Sequence, residues 1–116
     1  MPNITVDHSA DLEGRLDRPA LAGAVHQACV DLVGARIPAC KTRFRRAEET
    51  VVGDGAEEAY VVHIEIALLG GRTEEAKTAL TESVLALLPG HIKEPEGVYL
   101  SVEVRDLETA YRSARG

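Results

Sequence analysis

Directly after Pro2, Ile4 and Val6 alternate with Asn3, Thr5 and Asp7, a period of two that predicts a half-buried strand over residues 2–8. The following stretch, Ser9 to Leu16, reads as a polar loop. Asp17 ahead of Arg18-Pro19 signals a helix start, because its carboxylate can accept from amide groups of the first turn and proline is tolerated there. Leu21, Val25, Ala28, Cys29 and Leu32 then recur at helical spacing up to Gly34, so an amphipathic helix of about four turns is expected.

A second strand closes this first unit. From Ala39 to Glu49, Thr42, Phe44 and Arg46 alternate with Lys41, Arg43 and Arg45, a strand with one basic face. Gly53-Asp54-Gly55 is a turn signal, and Ala59 to Leu69 beyond it is a strand. Its residues Tyr60, Val62, Ile64, Ile66 and Leu68 share an apolar face, opposite Val61, His63, Glu65 and Ala67. The intervening turn predicts that these two strands form a hairpin. Thr73 with Glu74 and Glu75 then opens a second helix, whose stripe is Ala76, Leu80, Val84, Leu87 and Leu88 and which Pro89-Gly90 ends. Val98 to Arg105 alternates again as a final strand.

Two strand-helix-strand units in succession predict an α+β fold, a four-stranded sheet with both helices on one face. The opposite sheet face needs cover, and copies of the same chain in a closed oligomer would supply it. At 116 residues and 45% hydrophobic content, one domain spanning 1–116 is expected.

Composition narrows the function classes. The aromatic residues are Phe44, Tyr60, Tyr99 and Tyr111, too few for a base-stacking platform, and the net charge of −6 disfavours nucleic acid and anionic membrane as partners. No apolar run approaches the length of a membrane span, and the opening MPNITVDHSADLEGR lacks the basic start and apolar stretch of a signal peptide, so a cytoplasmic location is expected. Cys29 and Cys40 stand apart from any CxxC spacing and read as reduced packing residues. His8, His26, His63 and His91 form no ligand spacing, so no metal is expected, and His63 reads as a polar interface contact. Glu103 reads as an ion-pair partner across subunits.

Pro2 carries the most distinctive chemistry. Removal of Met1 exposes a secondary amine that a strand would hold in place as a general acid/base. The structural alternative is a strand-start proline, whose missing N–H is harmless.

Met1-Pro2 before a strand, Lys41-Thr42-Arg43, Tyr60-Val61-Val62-His63, Gly70-Gly71-Arg72-Thr73 and Leu100-Ser101-Val102-Glu103-Val104 occur in this order. Together they resemble the tautomerase superfamily, and within it the 5-carboxymethyl-2-hydroxymuconate isomerase family, over most of the chain. The resemblance implies a homotrimer of double β-α-β subunits and a cofactor-independent keto-enol tautomerase of aromatic catabolism. Its substrate would be a small unsaturated 2-hydroxy or 2-oxo acid with two or three carboxylates. Pro2 is then the catalytic proton shuttle, and Arg72, Lys41 and Arg43 bind substrate.

Physical chemistry accounts for these residue types. An α-amino group titrates at about 7.7 to 8.0, and nearby cations or an apolar setting lower that value, leaving a neutral base near pH 7. Arg72 beside a helix start combines guanidinium donors with free amide groups, a suitable carboxylate site. The family carries arginine where this chain has Lys41, which keeps the charge and loses the bidentate fork. For Arg45 and Arg46 a solvated or intersubunit face is the better reading. Two other functions stay open: a hydratase or dehalogenase-type member, and a non-catalytic trimeric protein that binds small acids or other partners.

Overall fold

A computed structural model describes residues 2–116; the expected removal of Met1 lies outside the described residues. Strand β1 covers Asn3–Ser9, helix α1 Arg18–Val33, β2 Lys41–Ala47, β3 Tyr60–Leu68, α2 Glu74–Leu87 and β4 Val98–Asp106. The strands form one sheet in the order β2-β1-β3-β4. β1 and β2 run parallel, as do β3 and β4, while β1 and β3 are antiparallel. Each parallel pair is joined by a helix, the crossover that parallel strands require.

The expected hairpin of the second and third strands does not form, because β1 lies between them. Charge explains the order. β2 exposes Lys41, Arg43 and Arg45 and is suited to a sheet edge, whereas β1 buries Ile4, Thr5 and Val6 and needs a neighbour on both sides. The segment after β2 therefore crosses the end of β1 instead of turning back on β2.

Local chemistry sets the helix boundaries. The Asp17 carboxylate accepts from Ala20 N–H at 3.3 Å, and Gly34 ends α1 in the left-handed conformation at φ 68°. Thr73 caps α2 by accepting from Ala76 N–H at 3.1 Å. In α1 the inward stripe is Leu21, Val25, Ala28, Cys29 and Val33, not Leu32, because Val33 continues the i+4 row through Val25 and Cys29. Leu32 is 37% exposed.

The helices pack on one sheet face. Ile4, Val6, Val62, Ile64, Ile66 and Leu68 meet Leu21, Val25 and Cys29 of α1 and Leu80 and Val84 of α2, all fully buried. Each such aliphatic side chain contributes about 1.5–3 kcal/mol through its removal from water. The segment expected as a polar loop, Ser9 to Leu16, joins this core: Ala10–Leu12 form a 3-10 turn, Leu12 is fully buried and Leu16 nearly so. Its two leucines lie four residues apart, and Leu16 N–H bonds to Leu12 C=O at 3.1 Å, so one turn directs both inward. Among the described residues, no helix is long and apolar enough to cross a membrane.

The other sheet face is polar. In register across it lie Lys41, Asn3, Ala67 and Arg105; then Arg43, Thr5, Glu65 and Glu103; then Arg45, Asp7, His63 and Ser101.

Candidate active site

Strand directions gather the candidate residues at one end of the sheet. β1 and β2 start there and β3 and β4 finish there, since Asn3 lies opposite both Lys41 and Ala67 while Leu68 pairs with Asp106. The end of α1 reaches this region through Arg72, and the first turn of α2 reaches it through Lys77, whose Nζ is 3.4 Å from Asp106 Oδ1.

Pro2 is buried, and its carbonyl accepts from Lys41 N–H at 3.2 Å. The parallel ladder thus ties the expected proton shuttle directly to the first cation of β2. Lys41 is exposed, with Nζ donating to Ala39 C=O at 3.0 Å. A shallow hollow of about 320 Å³ beside it is lined by Arg36, Pro38, Ala39 and Lys41. Arg43 pairs with Thr5, and its Nη2 donates to Thr5 Oγ1 at 3.3 Å. Register places Lys41 and Arg43 on the face away from the helices.

Arg72 sits differently. Its Nε and Nη2 both donate to Val33 C=O at 3.2 Å, and Nη1 donates to Leu69 C=O at 3.0 Å. A guanidinium has five N–H donors, so these bonds orient the group and leave two for a ligand. At the start of α2, Thr73 takes the Ala76 donor, and Glu74 and Glu75 add negative charge that opposes a bound anion. The helix start therefore helps a carboxylate less than its position in the sequence suggests.

Two polar residues at this end escaped sequence reasoning. Asn3 Nδ2 donates to the Tyr111 hydroxyl at 3.1 Å, linking β1 to the segment after β4. Asn3 was read only as an outward strand position, and Tyr111 belongs to no periodic element. Its one available signal was an aromatic in an otherwise polar tail.

Burial also acts on the cysteines and on a histidine nearby. It pushes the Cys29 thiol up to about 12, with Cys40 adding to the rise and Arg72 opposing it. Cys40 is raised as well, again by burial first. Both are free thiols. His26, 2.7 Å from Thr42 Oγ1, is held below the usual histidine range by burial. His63 bonds to Ser101 at 2.6 Å on the polar sheet face. Among the described residues, no group of three His, Cys, Asp or Glu side chains converges on a common metal position.

The family model for 5-carboxymethyl-2-hydroxymuconate isomerase matches residues 2–115. The chain belongs to the 5-carboxymethyl-2-hydroxymuconate isomerase family. Solved structures agree on the fold, which is tautomerase-like. A 5-carboxymethyl-2-hydroxymuconate isomerase from Deinococcus radiodurans R1 superposes with a TM-score of 0.82 at 20% identity, covering 98% of this chain and 88% of that one. A 5-carboxymethyl-2-hydroxymuconate delta-isomerase gives 0.75 at 17% identity, covering 100% and 89%. A fused 4-OT symmetric trimer gives 0.76 at 20% identity, covering 97% and 90%. No curated protein matches the chain.

Proposed function

We propose that the chain, freed of Met1, is a cofactor-independent keto-enol tautomerase with Pro2 as general acid/base. Its substrate in this reading is an unsaturated 2-hydroxy or 2-oxo di- or tricarboxylic acid of aromatic catabolism, such as 5-carboxymethyl-2-hydroxymuconate. The observation that carries the proposal is the family match that begins at residue 2, together with the ladder bond between Pro2 and Lys41.

The reaction moves one proton. The neutral Pro2 amine takes the enol O–H proton, the oxygen's bonding pair forms C=O, and the displaced π pair reaches a carbon of the conjugated system. That carbon takes a proton from the Pro2 ammonium, which returns the amine to its neutral form. Burial of Pro2 and the cations Lys41 and Arg43 favour the neutral amine, because each disfavours the ammonium form. Lys41, Arg43 and the two remaining donors of Arg72 bind the substrate's carboxylates in this scheme.

In the same reading the polar sheet face packs against two further copies in a homotrimer, an assembly supported by the symmetric 4-OT trimer of like fold. A cytoplasmic location fits a catabolic role.

The test is the intact mass of natively expressed protein combined with ultraviolet assay of 2-hydroxymuconate ketonisation. Loss of Met1, with turnover that falls at least about 10²-fold in Pro2→Ala, is the expected result. A free Pro2 amine without turnover of any 2-hydroxydienoate or of phenylenolpyruvate would overturn it. The engagement of Arg72 by two main-chain carbonyls favours one second reading, a family member that binds small acids without turnover. Tight binding of a dicarboxylate, equal in wild type and Pro2→Ala and without ketonisation, would select it.

A further inference from the structure

On the polar sheet face, Arg45 lies 3.8 Å from Asp7 and Arg105 lies 3.2 Å from Glu65. Arg43 and Glu103 are both exposed, and among the described residues neither meets a group of opposite charge; Arg43 donates to Thr5. Register sets the two in one row, Arg43 on edge strand β2 and Glu103 on edge strand β4, with Thr5 and Glu65 between them. Three strand spacings, roughly 14 Å, separate them, too far for an ion pair. Within one chain they do not meet.

A second copy of the chain can bring them together. The sheet ends at β2 on one side and β4 on the other, so both strands offer an unpaired edge. A twofold contact between β2 edges would set Lys41, Arg43 and Arg45 against the same cations of the partner, which like-charge repulsion opposes. A head-to-tail contact instead sets β2 of one copy beside β4 of the next. Where rotation about an axis along the strands relates the copies, residues of one row stay level. We infer that in the proposed homotrimer the β2 edge of each copy docks on the β4 edge of the next, with Arg43 and Glu103 paired across each junction. The inference rests on the homotrimer reading and names the contacts that hold it. Neighbouring rows agree with it. Arg45 faces Ser101, Ala47 faces the apolar ring of Tyr99, which is 57% exposed in the single chain, and Lys41 faces Arg105, whose charge Glu65 already meets. Arg43 has five N–H donors, so a bond to Thr5 and a two-pronged contact with a carboxylate leave two for a substrate.

The experiment is sedimentation velocity across a range of concentrations on wild type, Arg43→Glu, Glu103→Arg, the variant carrying both changes, and Lys93→Glu, with circular dichroism of each. The expected wild type is a trimer. Each single reversal on the sheet should raise the concentration at which it dissociates at least about tenfold, and the double variant should return toward wild type. Lys93 is exposed and lies outside the sheet, so its reversal should leave assembly unchanged. Arg43→Gln and Glu103→Gln remove one charge without opposing like charges. They should weaken the trimer in the same sense and less, and they decide the matter if a reversed variant fails to fold. A trimer that survives both reversals, or a double variant no better assembled than the singles, overturns the inference and leaves the homotrimer standing. Equal dissociation by Lys93→Glu would assign the effect to net charge and also overturn it. A monomeric wild type overturns the homotrimer and the inference together.

Discussion

The Arg72 guanidinium closes on the Val33 carbonyl through Nε and Nη2 together, each at 3.2 Å. Val33 is the last residue of α1, where carbonyls have no partner within the helix and the helix dipole is negative. A residue read from the sequence as a substrate ligand therefore also caps a helix in the folded chain.

Arg72→Ala should consequently cost stability, and in the proposed tautomerase substrate affinity as well. A loss of about 1–3 kcal/mol is expected from the charged hydrogen bonds, measured by urea unfolding without substrate. Arg72→Lys keeps the positive charge at the helix end but cannot make the side-on contact, and should recover only part of the loss. Unchanged unfolding of Arg72→Ala would show that the capping bonds contribute nothing net.

Lys41 offers one Nζ where a planar fork would match a carboxylate better. In the proposed tautomerase, Lys41→Ala should raise KM about tenfold, the equivalent of about 1.4 kcal/mol of binding. Lys41→Arg should lower KM below wild type if the lysine is a weaker carboxylate ligand at this position. Steady-state ketonisation kinetics distinguish these outcomes.

Burial pushes the Cys29 thiol up to about 12, so at pH 8 roughly one molecule in ten thousand holds the reactive thiolate. Cys40 is buried and raised in the same direction. A thiol reagent should therefore modify native protein very slowly and both cysteines promptly in denaturant. Rapid labelling of the native chain would contradict this burial.

His26 is held below its ordinary range by burial against β2, so the folded state favours neutral imidazole. Between the folded pKa and about 6.5 the unfolded chain binds more protons. The His26 contribution is thus fully present above about pH 6.5 and is lost as pH falls through the folded value. Urea midpoints should drop from pH 7 toward pH 5, and His26→Gln should drop less.

Much of the fold was legible because its signals are local. Alternation at Ile4 and Val6, and again from Tyr60 to Leu68, assigned strands and their inward faces; Ile4, Val6, Val62, Ile64, Ile66 and Leu68 are indeed buried, while Tyr60 at the start of β3 is only half-buried. Asp17, Gly34 and Thr73 marked helix boundaries through cap chemistry that depends on only a few neighbouring residues. Leu12 and Leu16 were missed because two leucines in a polar stretch make no period. Leu32 was misassigned because i+3 and i+4 neighbours of Cys29 both fit a helical stripe until packing selects one.

At the candidate site the residue types were readable, and their partners were not. Sequence alone specified the kinds of elements, their caps, the basic face of β2 and the place of Pro2 directly ahead of a strand, since these follow from short-range sterics and periodicity. Tertiary structure decided that β1 separates β2 from β3, that Arg72 turns to Val33, and that Tyr111 meets Asn3. The physical reason is the same in each case. A strand edge, a guanidinium or a phenol can bond equally well to many partners, and burial summed over the whole chain selects which one it meets.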